Sequence, residues 1–490
     1  MKPKQPFPFI TLPSRTEKPR QKGMTMVLDK HLSLSEAKNL IESSAYYIDV
    51  VKLGWGSSLL YDESILKQKV ALYRQHDIKV CTGGTFMELA FEQNKVDEML
   101  IYAKDIGFDS IEVSNGIHPN LTLSQKSELI SKVSRAGFYT FSEVGKKMSE
   151  EDYKLSYSDR IKQVLADIES GADKVIMEAR ESGSVGIFDA NGKVNVSLAN
   201  SIFQNIDPDL IIWEAPKKEQ QVWLIHQLGR DVNIGNVVPF EAMSLESLRL
   251  GIRADTFRDY LKDAVVVYLE LAVGGALRAQ RRDDIVIVVD ALRASATIIE
   301  CFEQGANQVT PVVSADDLHG DITIGERGGE KLYGATFGNS PFEISKQDLK
   351  GKQVVLSSTN GAECICTAKG NTNKVLIGSV VNAKAVADLA FKMAIEQNKN
   401  ITILAAGRNN LPAIEDRIGA TEILKHIASP IIRGFLEPHY SNDIEREFIS
   451  SDSGMNLARL GYIQDVIYCA RQETSSLVPC YDGKTISLVE

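Results

Sequence analysis

Between residues 25 and 236 the chain repeats one unit eight times, a short β-branched apolar run followed by a stretch with helical patterning. The runs are Thr25–Leu28, Ile48–Leu53, Lys79–Thr82, Ser110–Ser114, Thr140–Val144, Lys174–Glu178, Leu210–Glu214 and Val232–Asn236. They recur at a spacing of roughly 20 to 35 residues, which suits one strand plus one helix. IDVVKL and DLIIWE are apolar nearly throughout, as strands covered on both faces of a parallel sheet are. Between the runs, Ser33 and Glu36 stand at capping-box spacing ahead of Ala37, Leu40 and Ile41. Ile161, Val164, Leu165 and Ile168 fall on one face of a helix. An open doubly wound sheet also alternates strands and helices, but a count of eight favours closure into a (β/α)8 TIM barrel over residues 1–257.

A second domain must follow, because 490 residues exceed what one core organises. The barrel pattern ends at RADTF, the charged RDYLKD comes next, and a fresh apolar run opens at Val265–Leu269. Ile285–Val289, Gln308–Val313, Gln353–Ser357, Lys374–Ile377 and Ile401–Ala405 read as further buried strands, and residues 383–397 and 413–427 as helices. The expectation for residues 263–490 is an α/β domain built as a three-layer α/β/α sandwich.

A barrel places its chemistry at the C-terminal strand ends, and here those ends are polar: Asp29 and Lys30, Lys52, Ser114 and Asn115, Glu143, Lys146 and Lys147, Glu178, Arg180 and Glu181, Glu214, Asn236. Carboxylates so grouped can hold a hard divalent ion such as Mg²⁺, and Lys or Arg an anionic substrate. The N-terminal segment is basic and proline-rich, with Lys2, Lys4, Arg15, Lys18, Arg20 and Lys22 against a single acid, Glu17. It reads either as a solvated leader or, for Arg15 to Arg20, as a substrate clamp.

KPRQKGMTMVLDK, DVVKLGWGSS, CTGGTFMELA, EVSNG, SEVGKK, IMEARESGSVGI, IIWEAP and GNVVPFE, in that order over residues 7–257, resemble the phosphosulfolactate synthases. The resemblance implies Mg²⁺-dependent addition of sulfite to phosphoenolpyruvate, giving 2-phospho-3-sulfolactate. Attack at C3 of the enol phosphate drives charge into the carboxylate, and the resulting aci-carboxylate needs concentrated positive charge, then a proton at C2. Lys146 or Lys147, with Lys52 as second candidate, is expected to stabilise or protonate it, and Glu143, Glu178 and Glu214 to stand on the metal side. Arg180, Arg15, Lys18 and Arg20 are expected to grip phosphate or sulfite, with Ser114 and Asn115 beside the substrate.

The second half offers Asp290 at the end of IVIVV, the Gly-rich loops GERGG, GNSP, STNG and AAGR, and Glu415 and Asp416 at the start of a helix. Such loops let backbone N–H groups approach an anion. DALRAS lacks the second aspartate of the haloacid-dehalogenase phosphatases, since Leu292 occupies that position. DALRASATI, GERGG, GNSP, STNG, AAGR and IEDRIGA together resemble the 2-phosphosulfolactate phosphatases over residues 263–490. That resemblance implies Mg²⁺-dependent hydrolysis to sulfolactate and phosphate. It casts Asp290, Glu415, Asp416 and Glu326 as metal ligands, with Asp290 also catalytic, and Arg293, Arg327, Asn339, Ser340, Asn360 and Arg408 as anion binders.

A net charge of −10 opposes a broad nucleic-acid-binding face. No apolar run approaches the roughly 20 residues of a membrane span, and no apolar segment follows the basic N-terminus as in a signal peptide. Cys364 and Cys366 lack zinc spacing and read as packed, reduced thiols of a cytoplasmic protein. The expected partners are small molecules (phosphoenolpyruvate, sulfite and phosphosulfolactate), and exposed barrel helices are compatible with a homo-oligomer. Two alternatives stay open: a barrel using another nucleophile on an enol phosphate, and a chain in which one half serves only for binding or assembly. The fate of sulfolactate, whether coenzyme M formation, accumulation or another use, is also open.

Overall fold

The eight apolar runs form eight parallel strands that close on themselves: β1 (Thr25–Asp29), β2 (Val50–Leu53), β3 (Lys79–Thr82), β4 (Ser110–Val113), β5 (Tyr139–Val144), β6 (Lys174–Met177), β7 (Ile211–Glu214) and β8 (Ile234–Val237). Closure is made by β8 against β1, with Ile234 opposite Thr25 and Val237 opposite Val27. The computed structural model describes residues 6–257, 265–370 and 373–489. Lys2 and Lys4 of the leader and all of RDYLKD lie outside them. The chain divides into two units, Met1–Arg258 and Asp259–Glu490.

Strand residues alternate between the two faces of a sheet, so inward-facing barrel positions come at every second residue. Met24, Met26, Val50, Cys81, Phe141, Ile176 and Ile212 form one buried apolar cluster inside the barrel. Two residues further along four of these strands stand Lys52, Glu143, Glu178 and Glu214, all buried. The barrel therefore has an apolar floor and a charged upper layer.

The helices that follow are fixed by local chemistry. The Ser33–Glu36 capping box opens the helix Leu34–Ser44, whose buried residues include Ala37, Leu40 and Ile41. The helix Tyr157–Glu169 departs from its expected face. It buries Arg160, Gln163, Val164 and Asp167, while Leu165 is 42% exposed. Its inner face is held by ion pairs, Arg160 to Asp152 at 2.7 Å and Asp167 to Lys126 at 2.6 Å.

The basic segment before β1 closes the opposite end of the barrel from the charged layer, which corrects the clamp reading of Arg15, Lys18 and Arg20. Arg15 pairs with Glu246 at 3.0 Å, with Asp231, and with the Gly23 carbonyl. Lys18 Nζ donates to the carbonyls of Ala45, His76 and Asp77, at the turns that feed β2 and β3. Arg20, 5% exposed, donates to the carbonyls of Thr16 and Tyr46 and pairs with Asp49 at 3.1 Å. Asp49 in turn accepts from the Thr25 backbone N–H at 2.9 Å. These cations satisfy carbonyls and carboxylates at the N-terminal strand ends, away from the charged layer.

In the second unit eleven strands make one mixed sheet: β9 (Val266–Leu271), β10 (Ile285–Val289), β11 (Gln308–Pro311), β12 (Ile322–Arg327), β13 (Glu330–Lys331), β14 (Gln353–Ser357), β15 (Val375–Gly378), β16 (Ile401–Ala405), β17 (Ile431–Gly434), β18 (Pro479–Tyr481) and β19 (Ile486–Leu488). Their order is β13-β12-β14-β11-β19-β18-β15-β10-β16-β9-β17. The β18–β19 hairpin is wedged antiparallel between two parallel blocks. Ile285, Ile287 and Val289 face one core, which the helices Ala383–Gln397 and Ile414–Leu424 cover. Val286 and Val288 face the other, covered by the helices Ala272–Arg282, Ala294–Glu303 and Gly361–Ala368. Two cores on one sheet make the α/β/α sandwich. All six cysteines are free.

Candidate active sites at the strand ends

In the barrel, Lys52 Nζ lies 2.7 Å from Glu112, 3.4 Å from Glu143 and 3.4 Å from Glu214. Lys147 Nζ lies 2.9 Å from Glu143 and 3.2 Å from Glu178. Four buried carboxylates thus face two ammonium groups. Like charges about 4 Å apart repel by about 4 kcal/mol at an effective dielectric near 20, so this layer is short of positive charge. Its pKa pattern follows. Burial lifts Glu112 to about 7 against the pull of Lys52. Burial, Glu143 and Glu214 drive Glu178 well up. Burial would raise Glu143 too, but Lys147 and Lys52 overcome it and hold it low. Lys52 is held well above its ordinary value, the surrounding carboxylates outweighing the cost of burial.

Glu143, Glu178 and Glu214 each offer an oxygen within 4.8 Å of the others. This donor set fits a hard divalent cation: carboxylate oxygens, buried, carrying more negative charge than their lysines neutralise. Gly145 makes the approach between strands feasible. Its φ is +133°, and a Cβ there would stand 2.7 Å from Glu178 Cβ, so the SEVGKK turn brings Lys147 back over Glu143 only with glycine at its bend.

The two adjacent lysines part company. Lys147 enters the charged layer, whereas half-buried Lys146 donates to the Asn115 carbonyl at 2.6 Å and its pKa is lowered by burial. Ser114 Oγ lies 3.1 Å from Glu143 and 2.6 Å from Glu88. The Asn115 amide turns to the Leu121 carbonyl, and Arg180 is exposed, contributing its backbone N–H to Glu178 at 2.6 Å. Neither the Asn115 nor the Arg180 side chain joins the charged layer.

Two members of this site escaped the sequence reading. Glu112 lies inside β4, where a lone charge reads as a strand boundary. Glu88 lies on the helix Gly84–Glu92 and accepts from Ser114 Oγ and from the backbone N–H groups of Gly116, Ile117 and His118. The quoted CTGGTFMELA motif contained it, with no role attached.

In the second unit the Gly-rich loops meet over the C-terminal ends of β10, β12, β14 and β16. Asp290, Arg293, Glu326, Asn339, Asn360, Arg408, Glu415 and Asp416 line one cleft there. Burial, then Glu326 and Glu415, raise Asp290 to about 7. Burial, Asp290 and Glu415 push Asp416 well up. Asp416 accepts from Ala291 N–H at 2.7 Å and Gly407 N–H at 2.8 Å, joining the loops after β10 and β16. Glu326 accepts from Gly329 N–H at 2.9 Å and Thr359 N–H at 2.7 Å, joining the loops after β12 and β14. Gly361 permits a further close approach, since a Cβ there would stand 2.5 Å from Asp290 Oδ2. The donors fit a divalent cation by type, but among the described residues only the barrel trio brings three carboxylates within 4.8 Å of one another.

Two expected anion binders lie elsewhere. Arg327 turns from the cleft to the Val313 carbonyl at 2.9 Å and Ser357 Oγ at 3.1 Å, completing the sheet edge. Ser340 caps the short helix Pro341–Ile344 and donates to Asp465 at 2.6 Å. Both positions are corrections to the sequence-based expectation, made by backbone carbonyls and a carboxylate that the motifs alone do not display.

Comparison with known proteins agrees with the division. Residues 13–255 match the family described as (2R)-phospho-3-sulfolactate synthase (ComA), and residues 275–484 the family described as 2-phosphosulpholactate phosphatase. The phosphosulfolactate synthase of Methanothermobacter thermautotrophicus is 43% identical over 251 residues, 51% of this chain and 96% of the relative. That of Bacillus subtilis is 39% identical over 249 residues, 51% of this chain and 97% of the relative. A protein of Carboxydothermus hydrogenoformans described as "probable 2-phosphosulfolactate phosphatase" is 35% identical over 211 residues, 40% of this chain and 86% of the relative. The chain belongs to both families in series, the phosphosulfolactate synthases through its first half and the 2-phosphosulfolactate phosphatases through its second.

Proposed function

We propose that the chain is a bifunctional enzyme that adds sulfite to phosphoenolpyruvate at the barrel mouth and hydrolyses the resulting 2-phospho-3-sulfolactate in the second unit. The observation that carries this reading is the union of the two families in one chain, since the molecule that names the first is the substrate that names the second.

In the first step the sulfur lone pair of sulfite bonds to C3 of phosphoenolpyruvate. The C2–C3 π electrons pass into the carboxylate, forming an aci-carboxylate that a proton at C2 then quenches. Mg²⁺ held by Glu143, Glu178 and Glu214 would supply Lewis-acid charge opposite that developing dianion. Lys147 and Lys52, kept protonated by their carboxylates, hold the substrate's anionic groups. Lys146 has the lowered pKa suited to a proton donor for C2. The apolar floor below excludes water from beneath the reacting carbon.

In the second step water cleaves the phosphate ester, releasing sulfolactate and inorganic phosphate. Asp290 and Glu415 are the carboxylates best placed to hold Mg²⁺. Arg293, Asn360 and Arg408 face the anion from the cleft wall. We place the enzyme in the cytoplasm, a reading supported by six unpaired cysteines. No described helix is long and apolar enough to cross a membrane.

A one-pot reaction of phosphoenolpyruvate, sulfite and Mg²⁺ tests the proposal. Sulfite-dependent release of sulfolactate and phosphate is expected, and chelation should stop both steps until Mg²⁺ is restored. Accumulated phosphosulfolactate would remove the phosphatase step, and absence of any sulfite-dependent product would remove both.

A further inference from the structure

Asp465 belongs to none of the Gly-rich loops and does not line the cleft, yet it is 1% exposed and takes hydrogen bonds from two loops that do. Arg293, in the loop after β10, donates to it from Nη1 at 2.6 Å. Ser340 Oγ donates at 2.6 Å and Phe342 N–H at 3.2 Å, both following the Asn339 segment. Asp465 itself stands on the helix Ile463–Cys469. Tyr462, which precedes that helix, places its ring 4.8 Å from the Arg293 guanidinium. Arg293 Nη2 donates to the Gly329 carbonyl at 2.9 Å.

A guanidinium carries five N–H donors in a fixed fork, and these contacts engage two of them. Arg293 is 3% exposed and lines the cleft, so its remaining donors are held in one orientation beside it. Asn339 is 2% exposed and lines the same wall, where its Nδ2 donors can serve an anion. A buried guanidinium without a counter-charge is costly, and its fork is useful to a phosphate only when its direction is set.

We propose that Asp465 is a positioning residue for a phosphate-binding wall made by Arg293 and Asn339. Its carboxylate anchors the far edge of the Arg293 fork and, through Ser340 and Phe342, fixes the segment that carries Asn339. The ligand class is a phosphate monoester or inorganic phosphate. The inference deepens the phosphatase reading and rests on it for the identity of the ester.

The test uses the full-length chain in two measurements, hydrolysis of 2-phosphosulfolactate and calorimetric titration with inorganic phosphate. Asp465→Ala should lower phosphatase kcat/KM by about 100-fold, in the range for losing one partner of a buried charge pair, and weaken phosphate binding with it. Asp465→Asn retains an acceptor for Ser340 and Phe342 and should lose less, about 10-fold. It also carries the test if the alanine variant fails to fold. Added guanidinium should restore activity to Arg293→Ala, but not to Arg293→Ala combined with Asp465→Ala, because the anchor that receives it is gone. A merely structural Asp465 would leave that rescue intact, and such rescue overturns the proposal. Unchanged kcat/KM and phosphate affinity in both Asp465 variants overturns it as well. If the wild-type chain hydrolyses no phosphosulfolactate, the phosphatase reading falls alone. Phosphate titration then decides the wall: binding weakened by Asp465→Asn supports it, and no wild-type binding overturns it.

Discussion

Replacing Arg20 with Met separates a structural from a substrate-binding role for the basic segment ahead of β1. The Met side chain keeps most of the aliphatic stem and deletes the guanidinium. Lost with it are the bonds to the Thr16 and Tyr46 carbonyls and the 3.1 Å pair with Asp49. Asp49 is 6% exposed, and burial already raises its pKa against the pull of Arg20. Removing one partner of a buried pair leaves the other charge uncompensated and costs about 3 to 5 kcal/mol. For a unit of this size each kcal/mol lowers Tm by about 2 to 4 °C, so the barrel transition should fall by at least about 6 °C. Asp49 and Lys52 stand three strand residues apart, about 10 Å along β2, and the charged layer begins at Lys52. Synthase KM values for phosphoenolpyruvate and sulfite should therefore change by less than about twofold below the transition. Adding Asp49→Asn to Arg20→Met should recover part of the lost stability, since it removes the orphaned charge. Thermal melts and steady-state kinetics on the same preparations decide the matter. A tenfold rise in either KM with an unchanged melt would refute the reasoning and restore the clamp.

Lys147→Met should lower synthase kcat by at least about 100-fold while phosphatase activity in the same chain persists; equal loss of both activities would point to misfolding instead. Asp290, raised to about 7, gives the phosphatase a pH signature. Its ionised form would serve the cation, so activity at subsaturating Mg²⁺ should be present above pH 7 and fall below it, and raising Mg²⁺ should move that fall to lower pH, as paired pH–rate profiles would record. The stability sign is opposite. The folded state holds the Asp290 proton more tightly than the unfolded state does, so metal-free stability of the second unit should decline as pH rises from about 4 to 7, and Mg²⁺ should flatten that decline in thermal melts. Arg327→Ala should change phosphatase KM by less than about threefold, whereas Arg408→Ala, which removes a cleft cation, should raise it by about tenfold or more.

The barrel was legible because parallel strands buried on both faces must be apolar along their length, and eight such runs are hard to mistake. Part of the charged layer was legible for a related reason: Glu178 follows β6 and Glu214 ends β7, where polarity stands out against the apolar run, and Glu143 stood in the charged SEVGKK motif. Glu112, the next-to-last residue of β4 as Glu143 is of β5, stood in the quoted EVSNG motif with no role attached, because no further charge beside it marks the strand end. The segment from Arg15 to Arg20 was read toward the substrate because cations invite anions. Yet Arg20 is held at the end where β1 begins by the Tyr46 carbonyl and Asp49, partners that no motif displays. The helix Tyr157–Glu169 misled because Arg160 and Asp167 are buried as ion pairs, which periodicity of apolar residues does not register. In the second unit β17, β18 and β19 span only three or four residues each and are partly exposed, too short for any pattern to declare itself.

The same charge logic operates in both sites but with different completeness. Along β2, β5, β6 and β7, an apolar residue in the floor is followed two positions later by a charge, so the pleat stacks the charged layer on a dry base. The lowered local dielectric strengthens each interaction above it. Three carboxylates converge there with oxygens facing one another. In the second unit Asp416 and Glu326 hold loops together through backbone N–H groups, and in the barrel Glu178 and Glu214 also accept backbone N–H groups. Asp290 and Glu415 line the same cleft, where no three carboxylates of the described residues lie within 4.8 Å of one another. A six-coordinate cation would need water or the substrate's own oxygens to complete its shell at either site. The barrel trio would offer the proposed cation three converging carboxylates. On the proposed function the second-unit cleft would hold cation and phosphate ester together, and Arg293, which lines it, would meet phosphoryl oxygens from the cleft wall.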